Sequence, residues 1–207
     1  MLTTAMTKRT MLRGMAALAA AMVFDRPLLA WGAMPTVEEV LYDKDVPVLG
    51  NPQGDVSIVE YFDYQCPYCK RAYPDVTRVV EEDGNVRLIM KDWPIFGDAS
   101  IYAARLALAA RYQGKYADAH HVLMTTDGKL TQTRIEQVLS GHEIDLARAR
   151  QDAEKEEING ILRRNEMQAR AFRLRGTPAF IIGTVIFPGA IDADSMKRAI
   201  DQARAEN

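Results

Sequence analysis

The sequence predicts an α/β fold written in two separated halves, β-α-β and β-β-α, with a block of helices inserted between them. Three observations carry this. A β-branched and aromatic run at Val56–Tyr64 leads into Cys66-Pro67-Tyr68-Cys69 and then into a helical pattern. From residue 99 to 173 the strand signal disappears and apolar residues fall at helical spacing. After Gly176-Thr177-Pro178 short strand-like runs return, and a final amphipathic segment follows.

Each element has its own warrant. Residues 34–55 read as a short polar lead-in punctuated by Pro47, Gly50, Pro52 and Gly54. A strand is expected at about 56–63, then a helix to about 82, then a turn at Asp83-Gly84-Asn85. Val86–Asp92 reads as a second strand, ended by Trp93-Pro94. In the inserted block, Ile101, Ala104, Leu106, Ala107 and Ala110 mark one helix closed by Gly114. Lys115–Met124 and Thr131–Ser140 read as two more. Asp145–Arg173 is a long charged helical segment in which Gly160 is the expected bend, and its charges read as a solvated face. Ala179–Ile182 and Thr184–Phe187, separated by Gly183, form a hairpin, and Ala193–Ala205 closes the chain as a helix.

With 207 residues, 48% hydrophobic and 26% charged, the composition is that of a globular chain with a good core. A net charge of −2 carries no nucleic-acid footprint. The N-terminus differs: Lys8, Arg9 and Arg13 precede an uncharged apolar run, Gly14–Phe24. That run is shorter than the ~20 residues a membrane span takes. Residues 1–33 are therefore expected to be a removed secretory signal, and Thr7–Arg13 resembles a twin-arginine signal with Lys in the first Arg position. Ala30 and Ala33 are both candidate cleavage positions, and the alternative is a buried amphipathic helix. Export places the protein in the periplasm.

Cys66 and Cys69 are the only cysteines. A thiol at a helix start faces unpaired N–H groups and the positive end of the helix dipole. Such settings lower thiol pKa values from ~8.5 to roughly 3.5–7.5. Pro67 suits the first helical position. Cys66 is thus the expected nucleophile and Cys69, one turn deeper, the resolving thiol; in an oxidising compartment their disulfide is expected to be strained and accessible. Zinc would need further ligands from His120, His121 and His142, which lie in polar helical stretches; c-type haem would need a His where Lys70 stands. No organic cofactor and no metal is expected.

Thr177-Pro178 stands before a strand, where proline is tolerated. The bond is either an ordinary trans turn or a cis bond facing Cys66, with no backbone donor beside the sulfur and with nearby backbone groups free to pair with an extended substrate. The Thr177 hydroxyl is in reach of the sulfur or the substrate backbone. Glu60 lies six residues before Cys66, on the same strand face as Phe62. If buried, it is a proton exchanger for the resolving thiol, with Lys91 as an ion partner; if not, it is an exposed edge acid.

Glu60–Lys70 together with Gly176-Thr177-Pro178-Ala179-Phe180 resembles the DsbA-like thiol–disulfide oxidoreductases of bacterial envelopes, a thioredoxin-like fold with a helical insertion. The resemblance implies catalytic roles for Cys66, Cys69, Pro178, Thr177 and Glu60, and gives Pro74 as the proline that bends the active-site helix. It implies a thioredoxin-like domain at 56–98 and 174–207 and a helical insertion at 99–173. It also implies unfolded or disulfide-containing exported proteins as substrates, and a membrane redox partner, either a quinone-linked oxidase or an electron-donating reductase. Pro-Tyr between the cysteines and Thr before the proline look more like isomerase-leaning and copper-stress relatives. The short 34–55 segment favours a monomer, and with it an oxidase or reductase. A reduced isomerase, a chaperone or a Cu(I)-binding module are the alternatives.

Overall fold

The computed structural model describes residues 34–206. The expected signal at 1–33 lies outside the described residues. Among those described, no helix is long and apolar enough to cross a membrane.

A five-stranded mixed sheet in the order β1-β3-β2-β4-β5 forms the centre: β1 Val48–Gly50, β2 Val56–Phe62, β3 Val86–Asp92, β4 Ala179–Ile182 and β5 Val185–Phe187. β2 and β3 run parallel; the other pairs are antiparallel. β2, β3 and β4 are almost wholly buried. That is why their sequences read as near-continuous apolar runs rather than as alternation.

The parallel β2–β3 pair needs a crossover. It is α2, Pro67–Asp83, which begins at Cys66 and ends on Gly84 in the left-handed conformation at φ 69°. Cys69, Ala72, Val76, Val79 and Val80 are its buried face, three and four residues apart. Pro74 sits within it. α3 Asp98–Ala110, α4 Tyr116–Thr125, α5 Gln132–Ser140, α6 Leu146–Ala153 and α7 Glu156–Ala171 follow, with a 3-10 turn at Arg111–Gln113. α8, Ala193–Ala205, packs on α2, β2 and β4.

Two elements differ from expectation. The lead-in is not merely a lead-in: it holds a short helix, α1 Val37–Leu41, and the edge strand β1. Three residues flanked by Pro47 carry too little periodicity to read as a strand; β3 completes it, and Met90 N–H donates to the Pro47 carbonyl at 2.9 Å. Gly50 is required there, with φ 68° and a would-be Cβ 2.6 Å from the Val86 carbonyl oxygen. The long charged segment breaks at Glu154-Lys155, not at Gly160, which lies inside α7. A glycine within a helix costs only about 1 kcal/mol. At Lys155 the backbone turns extended (ψ 137°), and its side chain pairs with Asp152 at 2.7 Å.

Candidate active site

Strand β2 aims two sets of side chains at opposite faces of the sheet. Ile58, Glu60 and Phe62 share one face; Val59 and Tyr61 share the other. Pairing with β3 sets Glu60 opposite Met90 and Tyr61 opposite Lys91. Paired residues point the same way, so Lys91 lies across the sheet from Glu60 and is not its ion partner. Lys91 is buried with an unpartnered Nζ, and its pKa falls to about 8, mainly through burial, against the charge of Asp43.

After β2 the chain turns sharply into α2, and Asp63 builds the turn. Its Oδ1 accepts the Gln65 N–H and the Ser100 hydroxyl, both at 2.7 Å. Its Oδ2 accepts the N–H groups of Ile95 (2.7 Å) and Phe96 (3.0 Å). Asp63 therefore ties the active-site turn to the loop leading into α3. The sequence reading missed it, although an Asp whose carboxylate accepts the N–H two residues on is a known turn signal.

Cys66 is the N-cap of α2. Its Sγ accepts the Cys69 N–H at 3.4 Å and its thiol donates to the Thr177 carbonyl at 3.1 Å. Both thiols are free and buried, so the expected accessible sulfur is covered in this state. Their acidities are far apart. The Cys69 thiol donates to the Cys66 sulfur and is the chief influence holding Cys66 down to about 6; Thr177 and the N–H groups of Cys69 and Tyr68 add to this, while burial opposes it. Cys69 is pushed far above the ordinary thiol range, first by burial, then by its bond to Cys66 and by the Glu60 charge.

Glu60 is buried, and its Oε1 has no hydrogen-bond partner. Burial, and then the Cys66 charge, lift its pKa to about 8. Glu60 and the two thiols thus feel one another's charge. The Thr177–Pro178 bond is cis. The Thr177 carbonyl accepts the Cys66 thiol; its buried hydroxyl makes no hydrogen bond of its own within bonding distance, yet it lies on the sulfur's side and helps hold the Cys66 pKa down. An open groove of about 910 Å³ runs past Tyr68, Thr177 and Pro178.

The histidines take other parts. His120 is buried, 3.2 Å from the Tyr64 hydroxyl, with its pKa lowered to about 3 chiefly by burial. It is thus a core residue, not a polar-face one. His121 bonds Tyr73 at 2.9 Å. Among the described residues no cluster of His, Cys, Asp and Glu is placed to hold a metal.

The fold and the helix-capping dithiol define a thioredoxin-like redox protein, and similarity to known proteins bears on the same residues. The family described as Thioredoxin matches residues 43–202. The crystal structure of a thioredoxin-like oxidoreductase from Silicibacter pomeroyi is 38% identical with a TM-score of 0.81, covering 83% of this chain and 99% of that one. The thiol-disulfide exchange protein alpha-DsbA2 from Wolbachia pipientis is 28% identical with a TM-score of 0.75, covering 80% and 90%. A probable disulfide bond formation protein D of Bacillus anthracis is 28% identical, covering 74% of this chain and 76% of its own length. The chain belongs to the thioredoxin family, among its DsbA-like thiol–disulfide oxidoreductases. It also matches the Na(+)/H(+) antiporter NhaA 3 of Salinispora tropica at 27% identity, but spans only 24% of that protein's length.

Proposed function

We propose that this protein exchanges disulfides with exported protein substrates in the periplasm, through Cys66 as nucleophile and Cys69 as resolving thiol. The observation that carries the reading is the split in acidity between two thiols one helical turn apart. At neutral pH one is largely thiolate and the other stays protonated.

In the oxidising direction a substrate thiolate attacks the Cys66 sulfur of the Cys66–Cys69 disulfide. The S–S bond breaks, Cys69 leaves with the electron pair, and it takes a proton; Glu60, largely protonated at neutral pH, is the proton source. A second substrate thiolate then attacks the substrate sulfur of the mixed disulfide, and Cys66 leaves as a stabilised thiolate. Run in reverse, the same steps reduce a substrate disulfide. A membrane redox partner resets the pair. Pro178 offers no N–H beside the sulfur, and the unspent Thr177 hydroxyl and neighbouring backbone groups receive the substrate as an added strand. The thioredoxin-like domain (56–98 and 174–207) performs the chemistry, the helical insertion (99–173) covers it, and the protein works as a monomer without an organic cofactor or metal.

Alkylation trapping of Cys66 and Cys69 in living cells tests the direction. A mostly oxidised pair supports the oxidase reading. A mostly reduced pair points to a reductase or isomerase kept reduced by a membrane electron donor. A Cys69→Ser variant that traps no mixed disulfides would point to a chaperone or copper-binding module without turnover.

A further inference from the structure

The groove beside the thiols has a one-sided charge. Its wall is formed by Tyr68, the loop from Phe172 to Pro178, and Ile186 to Ala190 around the end of β5. Two arginines, Arg173 and Arg175, line it, and no carboxylate does. A third arginine, Arg71, lies over the Tyr68 ring with its guanidinium carbon 4.3 Å from the ring centroid. All three are exposed. Among the described residues none of the three forms an ion pair, although most other arginines do. Two acids that flank the groove segments in sequence are engaged elsewhere: Asp192 caps α8 through Ser195, and Glu166 is held by Trp93 and Arg170.

Arg173 is also held in an unusual conformation. It follows the end of α7 with φ 57°, in the left-handed region where glycine or asparagine is the usual occupant. The turn closes through Arg173 N–H to Arg170 O and Leu174 N–H to Ala169 O, each at 2.9 Å. The α7 terminus accounts for a cation in its last turn, and Arg170 already supplies one. Arg175, two residues further on, owes nothing to that dipole. The groove adjoins the thiols, since Thr177 both lines it and accepts the Cys66 hydrogen bond.

We propose that this groove selects protein substrates whose reacting cysteine is flanked by acidic residues, with Arg173, Arg175 and Arg71 receiving the carboxylates. This deepens the thiol–disulfide reading and rests on it. The chemistry is complementary in two ways. A guanidinium presents a planar donor fork that fits a carboxylate through two parallel hydrogen bonds. Acidic neighbours also disfavour a cysteine's own thiolate, and a cationic rim offsets that repulsion at the moment of attack.

The test uses the oxidised full chain and three single-cysteine peptides that differ only in their flanks: Glu, Gln or Lys on either side of the cysteine. Reduction of the Cys66–Cys69 disulfide is followed by trapping. Each rate is divided by that of the same peptide with a small-molecule disulfide, which removes the flank's own effect on thiol acidity. The Glu peptide is expected to exceed the Gln peptide by about two- to tenfold, and the Lys peptide to fall below it. The order should collapse in about 1 M salt, where the Debye length is ~3 Å. It should also collapse in Arg173→Gln/Arg175→Gln and return only in part in Arg173→Lys/Arg175→Lys, which keep the charge and lose the two-bond fork. Equal normalised rates for the three peptides, or an order that survives in the Gln variant, would overturn the acidic-substrate proposal alone. If no peptide reduces the disulfide, the exchange reading fails as well, and the proposal with it.

Discussion

At the scale of single residues, Glu60 is the clearest case of a side chain placed against its own preference for water. Its carboxyl is buried, its Oε1 is unpartnered, and its pKa is lifted from about 4.5 to about 8. The folded state therefore keeps this proton longer than the unfolded chain does. Unfolding releases it between pH 4.5 and 8, and stability falls as pH rises through that window. Glu60→Gln removes the slope. Denaturant melts should show the variant equal to the parent below pH 4.5, and more stable by roughly 3 kcal/mol at pH 7. The same variant should slow the release of Cys69 during exchange. Equal stability at both pH values would mean that Glu60 is solvated and plays no part in proton transfer.

At the scale of elements, the start of α2, which holds both thiols, is where the proposed redox preference is set. A thiolate at its N-cap stabilises the reduced protein; the disulfide loses that interaction. Lowering Cys66 from about 9 to about 6 favours the reduced form by on the order of 1 kcal/mol at pH 7, or roughly 20–30 mV of potential. A depressed pKa stabilises only where the thiol is ionised. The excess stability of the reduced form should therefore grow from pH 6 towards pH 9 and vanish below pH 6. Paired urea melts of the two forms check this; a more stable oxidised form at pH 8 would reverse the proposed direction of transfer. This element was legible in the sequence because its signals are local: a strand, two cysteines, Pro67 and a closing Gly84. Val86–Asp92 and Ala193–Ala205 were legible for the same reason, each carrying its full period within one segment. β1 was not, because three residues become a strand only when β3 pairs with them. The break between α6 and α7 was hidden because polar Glu154-Lys155 carries no breaker residue, while Gly160 drew attention to the wrong place.

At the scale of the whole molecule, the inserted helices are joined to the sheet through buried polar groups that no sequence pattern marks. Asp92, at the end of β3, accepts the Tyr116 hydroxyl of α4 at 3.2 Å and leaves its other oxygen unpartnered. Its pKa rises to about 8, mainly through burial. Tyr116 stacks on His120, and His120 meets the Tyr64 hydroxyl just before the active-site turn. Lys70, next to Cys69, donates to the carbonyls of Leu123 (2.7 Å) and Thr126 (2.6 Å) at the end of α4. Tyr116→Phe keeps the ring but strips Asp92 of that donor. It should cost on the order of 1–3 kcal/mol in a denaturant melt. A change under a few tenths would mean that packing alone joins the helices to the sheet. Asp92, Tyr116 and His120 could not be grouped from sequence, since their contacts come from separate elements and only the fold brings them together. The same holds for the face of Lys91, which depends on β2–β3 register, and for Arg173 and Arg175, whose lack of partners is a property of the folded surface.

The central claim is that the two thiols, one turn apart, are chemically unlike, with Cys66 the thiolate and Cys69 the protected thiol. The direct measurement is the rate of alkylation of the reduced protein against pH, with the modified cysteine identified by peptide mass. The account predicts fast labelling of Cys66 with a midpoint near pH 6, and little labelling of Cys69 across the same range. Equal rates for the two thiols, or a Cys66 midpoint near the ordinary ~8.5 of a free cysteine, would contradict it.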